Sequence, residues 1–269
     1  MLARHRQSLI LHAVRSDGSA RVSDLTQQLG VSDMTIRRDL EVLARDGLVE
    51  KVHGGAVLPG SHNTHEPSPE DRLVLERPEK TSIARAAASL IKPGTAIAIS
   101  GGSTTFALAQ CLLEVPGLTI VTNSLRVANL FTGNRGSEGT SVVLTGGVRT
   151  ASDSLVGPVA DLTIRSLHFD TLFVGCTGID VEVGLTTPNL AEAETNRSLI
   201  KVARRVVVLA DHTKWGVVSL ASFATLDEVS VMVTDSMLST DAQEALATRV
   251  GEVLVLWASC GGSWGRVPP

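Results

Sequence analysis

Two groups of side chains in this sequence have types and spacings that could do chemistry. The first lies between Ser32 and Arg45, where Ile36, Leu40 and Leu43 fall at i, i+4 and i+7 and make one apolar stripe of a helix. The face left over carries Thr35, Arg37, Arg38 and Arg45, with Met34 near the start. A short helix that presents cations and hydrogen-bonding groups from its N-terminal half suits the major groove of DNA. The second group stands at the ends of apolar, strand-like runs. Residues 95–100 lead into Gly101-Gly102-Ser103-Thr104-Thr105, 118–122 into Asn123-Ser124, and 141–145 into Gly146-Gly147. Residues 171–175 lead toward Thr177-Gly178-Ile179-Asp180, and 206–210 toward Asp211-His212-Thr213-Lys214. Glycines let a backbone approach an anion, and hydroxyls with free N–H groups at a helix start can hold a phosphate. In an open parallel sheet the carboxyl ends share one edge, where ligands bind. Amide, carboxylate and lysine groups meeting there suit a small phosphorylated polyol. Among the three tryptophans only Trp215 is close in sequence to these loops, and there is no tyrosine, so hydrogen bonding is expected rather than stacking.

The elements that must position the first group are legible. Ser32 is a natural N-cap, Asp33 puts a carboxylate in the first turn, and Gly47 is the stop signal. Upstream, Val22, Leu25 and Leu29 stripe a shorter helix that Gly30 ends. Downstream, 48–51 and 56–58 read as two short strands around His53-Gly54-Gly55, a hairpin with basic groups near its tip. A first helix is expected over 3–15, with Leu9, Ile10, Ala13 and Val14 inward and Arg4 and Arg6 outward. Together these make a winged helix-turn-helix over residues 1–58. Residues 59–72, rich in Pro, Ser and Asn, read as a linker. Its His62 and His65 have no third ligand nearby and are expected to be exposed. From residue 73 to 256 strands alternate with helices at 83–91, 104–113, 124–131 and 189–203, which implies an α/β domain with a largely parallel sheet. Residues 257–269 read as a loose tail.

Composition narrows the classes. No apolar run approaches the length of a membrane span and the first residues do not resemble a signal peptide, so a soluble cytoplasmic protein is expected. Cys111, Cys176 and Cys260 lack paired spacing, which argues against disulfides or a zinc site; no metal or cofactor is expected. The net charge of −4 divides into +1 over residues 1–57 and −5 over the rest. Any affinity for DNA must therefore come from a local patch and not from overall charge.

The run from Val31 to Ala56, with its Thr-Ile-Arg-Arg-Asp-Leu core and Val-His-Gly-Gly-Ala wing, resembles the signature of the DeoR family of bacterial transcriptional regulators. The likeness continues in order through Gly-Ser-Thr-Thr, Val-Thr-Asn-Ser, Leu-Thr-Gly-Gly, Glu-Ala-Glu and Ala-Asp-His-Thr-Lys-Trp-Gly. With the helix face and the basic hairpin above, it supports DNA contacts from Ser32, Met34, Thr35, Arg37, Arg38, Lys51 and His53. It also implies a sensor domain like ribose-5-phosphate isomerase that binds a sugar phosphate. Ser103, Thr104 and Thr105 would hold the phosphate, with Asn123, Asp180, Glu192, Asp211 and Lys214 around the sugar and Ser100, Gly101, Gly102 and Gly146 completing the edge. Three positions depart from the family pattern. Lys51 stands where Arg is frequent, Ser100 where Asp commonly precedes the phosphate loop, and Asn196 where a Lys commonly follows Glu-Ala-Glu.

The function expected is a homo-oligomeric regulator, at least a dimer, that represses a sugar or polyol operon and is released from double-stranded operator DNA by a phosphorylated sugar. The alternative is an active sugar-phosphate isomerase carrying a DNA-binding domain, for which Asp170, Asp180, Glu192 and Lys214 could supply acid and base.

Overall fold

A computed structural model describes residues 3–17, 19–52, 55–57, 75, 77–132, 139–256 and 264–267. Its contacts divide the chain into two compact units, Met1–His65 and Glu66–Pro269. The segment read as a linker, 59–72, and His53 lie outside the described residues.

In the first unit, helix α1 (Ala3–Asp17) is followed by strand β1 (Ser19–Arg21), α2 (Val22–Leu29), α3 (Asp33–Arg45), β2 (Glu50–Val52) and β3 (Gly55–Val57). The three strands form an antiparallel sheet in the order β1-β3-β2, with Val57 opposite both Ser19 and Glu50. Strand β1 is too short for any periodicity to announce it, and its partner lies beyond two helices. Gly30 ends α2 at φ 64°, a conformation that favours glycine, and thereby sets the turn into α3. Ile10, Val14, Val22, Leu25, Ile36, Leu40, Leu43, Val49 and Ala56 form the core, so the stripe on α3 is buried as its spacing predicts.

Helix α1 departs from expectation at two positions. Leu9 is exposed, and Arg6 turns inward to Asp39 of α3, with Nε 2.5 Å from Oδ2. Gln7 Nε2 donates to the other oxygen at 3.0 Å, and Asp39 is buried. Helical spacing cannot show that a charge has a partner on another helix, and here the partner makes burial tolerable. Asp39→Ala should take this carboxylate from the part-buried Arg6 guanidinium and lower the stability of this unit by roughly 2–4 kcal/mol. Thermal unfolding with a probe in the first unit checks this, and the transition of the second unit should not move.

The second unit is built on an eight-stranded sheet. Its strands in chain order are β4 (Ala96–Ile99), β5 (Thr119–Thr122) and β6 (Ser141–Leu144), then, after a hairpin of β7 (Val148–Arg149) and β8 (Leu155–Val156), β9 (Phe169–Val174). β10 (Gly178–Asp180) and β11 (Gly184–Thr187) precede β12 (Ala203–Leu209); β13 (Ala221–Ala224), β14 (Val231–Asp235), β15 (Val253–Leu256) and β16 (Trp264–Val267) follow. The sheet order is β16-β15-β14-β12-β9-β4-β5-β6, parallel throughout except for β16. β10, β11 and β13 make a separate antiparallel sheet. Helices α4 (Arg77–Ala88), α5 (Ser103–Cys111) and α6 (Leu125–Phe131) cover one face, packing on Ile97, Ile99, Ile120, Phe173 and Val207. Helices α7 (Pro158–Arg165), α8 (Leu190–Val202) and α9 (Thr240–Ala247) cover the other, on Ala98, Val121, Leu172, Val206 and Val208. Apolar strands flanked by helices on both faces are what a parallel sheet requires. Among the described residues no helix is long and apolar enough to cross a membrane.

Residues 264–267, within the stretch read as a loose tail, form β16, with Val267 opposite Val253 of β15. The small sheet, β15, α7 and α9 also escaped the sequence reading, because short segments are defined by neighbours distant in the chain. The sheet order reverses beside β4: the chain moves outward through β5 and β6, then returns to β9 on the other flank. In open parallel sheets such a reversal, here at the carboxyl ends of β4 and β9, is where ligands bind.

Candidate functional site

Ser32 caps α3: Thr35 N–H donates to its Oγ at 3.4 Å, and the two hydroxyls lie 2.8 Å apart. The Ser32 and Thr35 hydroxyls, expected at DNA, thus already serve the helix start. Met34 is 81% exposed, a large apolar side chain that the fold itself leaves uncovered. Arg37 is paired with Asp33 through Nε, and its Nη2 donates to the second carboxylate oxygen at 3.3 Å. That hydrogen bond is the first reason the guanidinium pKa is raised above its usual value. Lys51 reaches Glu41 at 3.2 Å. Arg38 is exposed and has no ion-pair partner among the described residues.

At the carboxyl edge of the large sheet the predicted residues divide into those that shape the site and those that face it. Ser100 is buried, and its Oγ accepts Gly175 N–H at 3.4 Å, tying β4 to β9 at the reversal. Asn123 is also buried; Oδ1 accepts Gly101 N–H at 3.0 Å and Nδ2 donates to Leu155 O at 3.2 Å. Thr105 donates its hydroxyl to Gly102 O at 3.0 Å. These three side chains spend their hydrogen bonds on the scaffold. Glu192 does likewise, accepting from Thr150 Oγ1 at 2.8 Å and Ser152 Oγ at 2.5 Å.

The face of the site is left to other groups. Ser103, Thr104 and Thr105 open α5, and their amides precede its first internal bond, Phe106 N–H to Gly102 O. The Ser103 and Thr104 hydroxyls have no partner among the described residues. Gly175 separates this helix start from the end of β12: a Cβ there would stand 3.9 Å from Thr105 Cγ2 and 4.0 Å from Leu209 O. Past β12, Asp211 is buried, and its Oδ1 accepts Thr213 N–H at 3.1 Å while Oδ2 is buried with no partner among the described residues. Lys214 is half-buried with no hydrogen-bond or ion-pair partner among the described residues. Both charges act on the neighbouring Cys176 thiol, but burial dominates and pushes it up to about 12, so it stays protonated.

One predicted residue is not brought to this place. Asp180 sits at the tip of the β10–β11 hairpin, where Oδ1 accepts Glu182 and Val183 N–H groups at 2.9 Å. The adjoining Val181 O meets Arg249, which with Asp227 lies just ahead of β15 and β14, at the amino edge of the sheet. Gly146 follows β6, which like β12 lies two strands from β4, on the opposite flank.

Sequence reasoning also missed the turn Thr150–Ser154. Asp153 holds a left-handed φ of 61° there and accepts from Arg126 Nε at 2.9 Å and Arg149 Nε at 2.7 Å; these bonds hold its carboxyl below the usual range. His212 Nδ1 lies 3.0 Å from Asp235 Oδ1, and its backbone N–H donates to Oδ2 at 2.8 Å, a pairing that loop position alone does not show. Burial opposes ionisation of Asp235, but the His212 ring and backbone, with Met237 N–H, outweigh it and lower the pKa. The density of hydroxyls at 150–154 is the one signal that could have marked that turn.

The family models match both units. Residues 6–62 fit the DeoR-like helix-turn-helix domain, and residues 76–236 fit the DeoR C terminal sensor domain. The chain belongs to the DeoR family. Like the DeoR members below, it is a DNA-binding transcriptional regulator. A putative aga operon transcriptional repressor of Escherichia coli O157:H7 is 34% identical over 253 residues, covering 93% of each chain. The glycerol-3-phosphate regulon repressor of Escherichia coli K12 is 33% identical over 232 residues, covering 86% of this chain and 90% of its own. Among solved structures, a ribose 5-phosphate isomerase A from Methanocaldococcus jannaschii has a TM-score of 0.37 at 17% identity, covering 51% of this chain and 53% of that one. At that distance the likeness says nothing about activity.

Gly101 is where the scaffold and the facing groups meet, since a Cβ there would lie 2.0 Å from Ser154 Oγ and 3.2 Å from Ser154 Cβ. Gly101→Ala should cost the sensor unit about 1–3 kcal/mol through overpacking. Adding Ser154→Gly should recover most of it, as unfolding curves of the single and double variants will measure.

Proposed function

We propose that this DeoR-family protein represses a sugar or polyol operon and leaves its operator when a small phosphorylated sugar binds at the carboxyl edge of the sensor sheet. The observation that carries the reading is the set of unspent groups at the sheet reversal. They are the three amides and two hydroxyls that open α5, the Lys214 ammonium, and the partnerless buried oxygen of Asp211. Amides at a helix start and an ammonium favour a phosphate, and the buried carboxylate oxygen needs a hydroxyl donor. The phosphate belongs at Gly101–Thr105 and the polyol toward Asp211 and Lys214. A relative named for a glycerol-3-phosphate regulon supports an effector of this class. A protein that works on operator DNA belongs in the cytoplasm.

Isomerase activity has less support. Asp170, one of its candidate carboxylates, stands at the start of β9, 3.7 Å from Arg204, and Asp180 caps a hairpin at the amino edge. Incubation with pentose and hexose phosphates should give no turnover.

An effector releases DNA only through a difference in its affinity for the two states of the protein. Gly102→Asp adds bulk and negative charge where the phosphate belongs. It should yield a protein that binds operator normally but ignores the sugar phosphate that releases the wild type. Equal release of both in an operator-binding assay would remove the phosphate from this loop.

Two reading helices are needed to span two half-sites, so the working form is a homo-oligomer, at least a dimer. Sedimentation that shows a monomer both free and on DNA would contradict this. At the operator, Arg38 is assigned to phosphate. Arg38→Ala should weaken binding on all sequences and reduce the salt slope by about one, which titration at several salt concentrations reads directly.

A further inference from the structure

We infer that Asp33 is a specificity-determining residue of the reading helix, acting through Arg37, whose guanidinium it holds toward a base edge and away from the phosphates. The inference rests on α3 being the DNA-reading helix. Asp33 and Arg37 stand at i and i+4, the carboxylate nearer the helix N-terminus, which is the favourable order. Both carboxylate oxygens are engaged, one by Nε and one by Nη2, so rotation of the guanidinium is fixed as well as its position. With Nε–H and one Nη2–H committed, Nη1 and the second Nη2–H remain. Those two nitrogens are the edge that can donate to O6 and N7 of guanine.

Stability does not account for the pair. Its side chains are 58% and 57% exposed, and an exposed ion pair contributes little to folding. Helix α3 is in any case held by its Ser32 cap and by Ile36, Leu40 and Leu43. For a helix that approaches a polyanion, a carboxylate in the first turn on the exposed face is a cost to non-specific affinity. What offsets that cost is a pre-set arginine, which loses less side-chain freedom when it meets its base. The neighbouring arginine makes the contrast. Arg38, one residue on, is exposed and has no carboxylate partner among the described residues, so it is free to follow the phosphates.

The test uses the full-length protein and a duplex that the wild type selects from a randomised pool. Affinity is measured across a range of salt for that duplex, its single-base-pair variants and a scrambled duplex. The proteins are wild type, Asp33→Ala, Arg37→Ala, the double variant and Asp33→Glu. Asp33→Ala should bind the scrambled duplex a few-fold more tightly and steepen the salt slope by about one, as the freed arginine reaches phosphate. Its preference at one base pair should fall about tenfold, at the same pair where Arg37→Ala loses preference. The double variant should lose no more preference than Arg37→Ala, and Asp33→Glu, whose carboxylate can still reach Arg37, should restore most of it. If Asp33→Ala tightens binding to every duplex alike, or changes nothing, Asp33 only repels phosphate or is idle, and its role here is wrong. If Arg37→Ala itself keeps every preference, the assignment of Arg37 fails and the role of Asp33 falls with it. Thermal unfolding of each variant shows that α3 is intact.

Discussion

A parallel strand cannot be joined to its neighbour by a tight turn, and most of the sensor unit follows from that constraint. Each crossover must carry the chain back along the sheet, so helices cover both faces and every strand of β4, β5, β6, β9, β12, β14 and β15 delivers its carboxyl end to one edge. Where the order reverses beside β4, the loops after β4 and β9 part. Ser100 Oγ and Gly175 N–H bridge the gap beneath them at 3.4 Å. The groups above that bridge are the ones with hydrogen bonds still to make.

Polar residues at this edge fall into two kinds, and the division is physical. A buried amide or hydroxyl must be satisfied, so Asn123, Ser100 and Thr105 are committed to the backbone and hold the loop in shape. Among the described residues Asp211 Oδ2 is buried with no donor, a state that costs free energy. The Thr150–Ser154 turn closes against the loop. Glu192 holds its hydroxyls, two arginines hold Asp153, and the missing side chain of Gly101 leaves room for Ser154.

In the reader unit the same logic runs with charges. Asp39 is buried and must be paired, and Arg6 with Gln7 of α1 does so, fixing α3 against α1. Asp33 and Glu41 are exposed and need no partner, yet they occupy Arg37 and Lys51. The cationic surface offered to DNA is therefore narrower than a count of arginines and lysines suggests.

The sequence by itself determined whatever depends on neighbours within a turn or two. The stripe of Ile36, Leu40 and Leu43, the Ser32 cap, the glycine that ends α2 and the glycine–hydroxyl loop after β4 are all local, and each stands where the residues put it. Only the tertiary structure decided what depends on partners far along the chain. β1 exists because β3 pairs with it, and β16 because β15 does. Arg6 points inward because Asp39 is there. Asp180 follows a strand-like run just as Asp211 does, and in the sequence the two look equivalent. The antiparallel pairing of β10 with β11 carries Asp180 to the amino edge, while β12 delivers Asp211 to the carboxyl edge. Side-chain chemistry is written in the residue, but the edge of a sheet it reaches is set by strand direction, and direction is a property of the pairing.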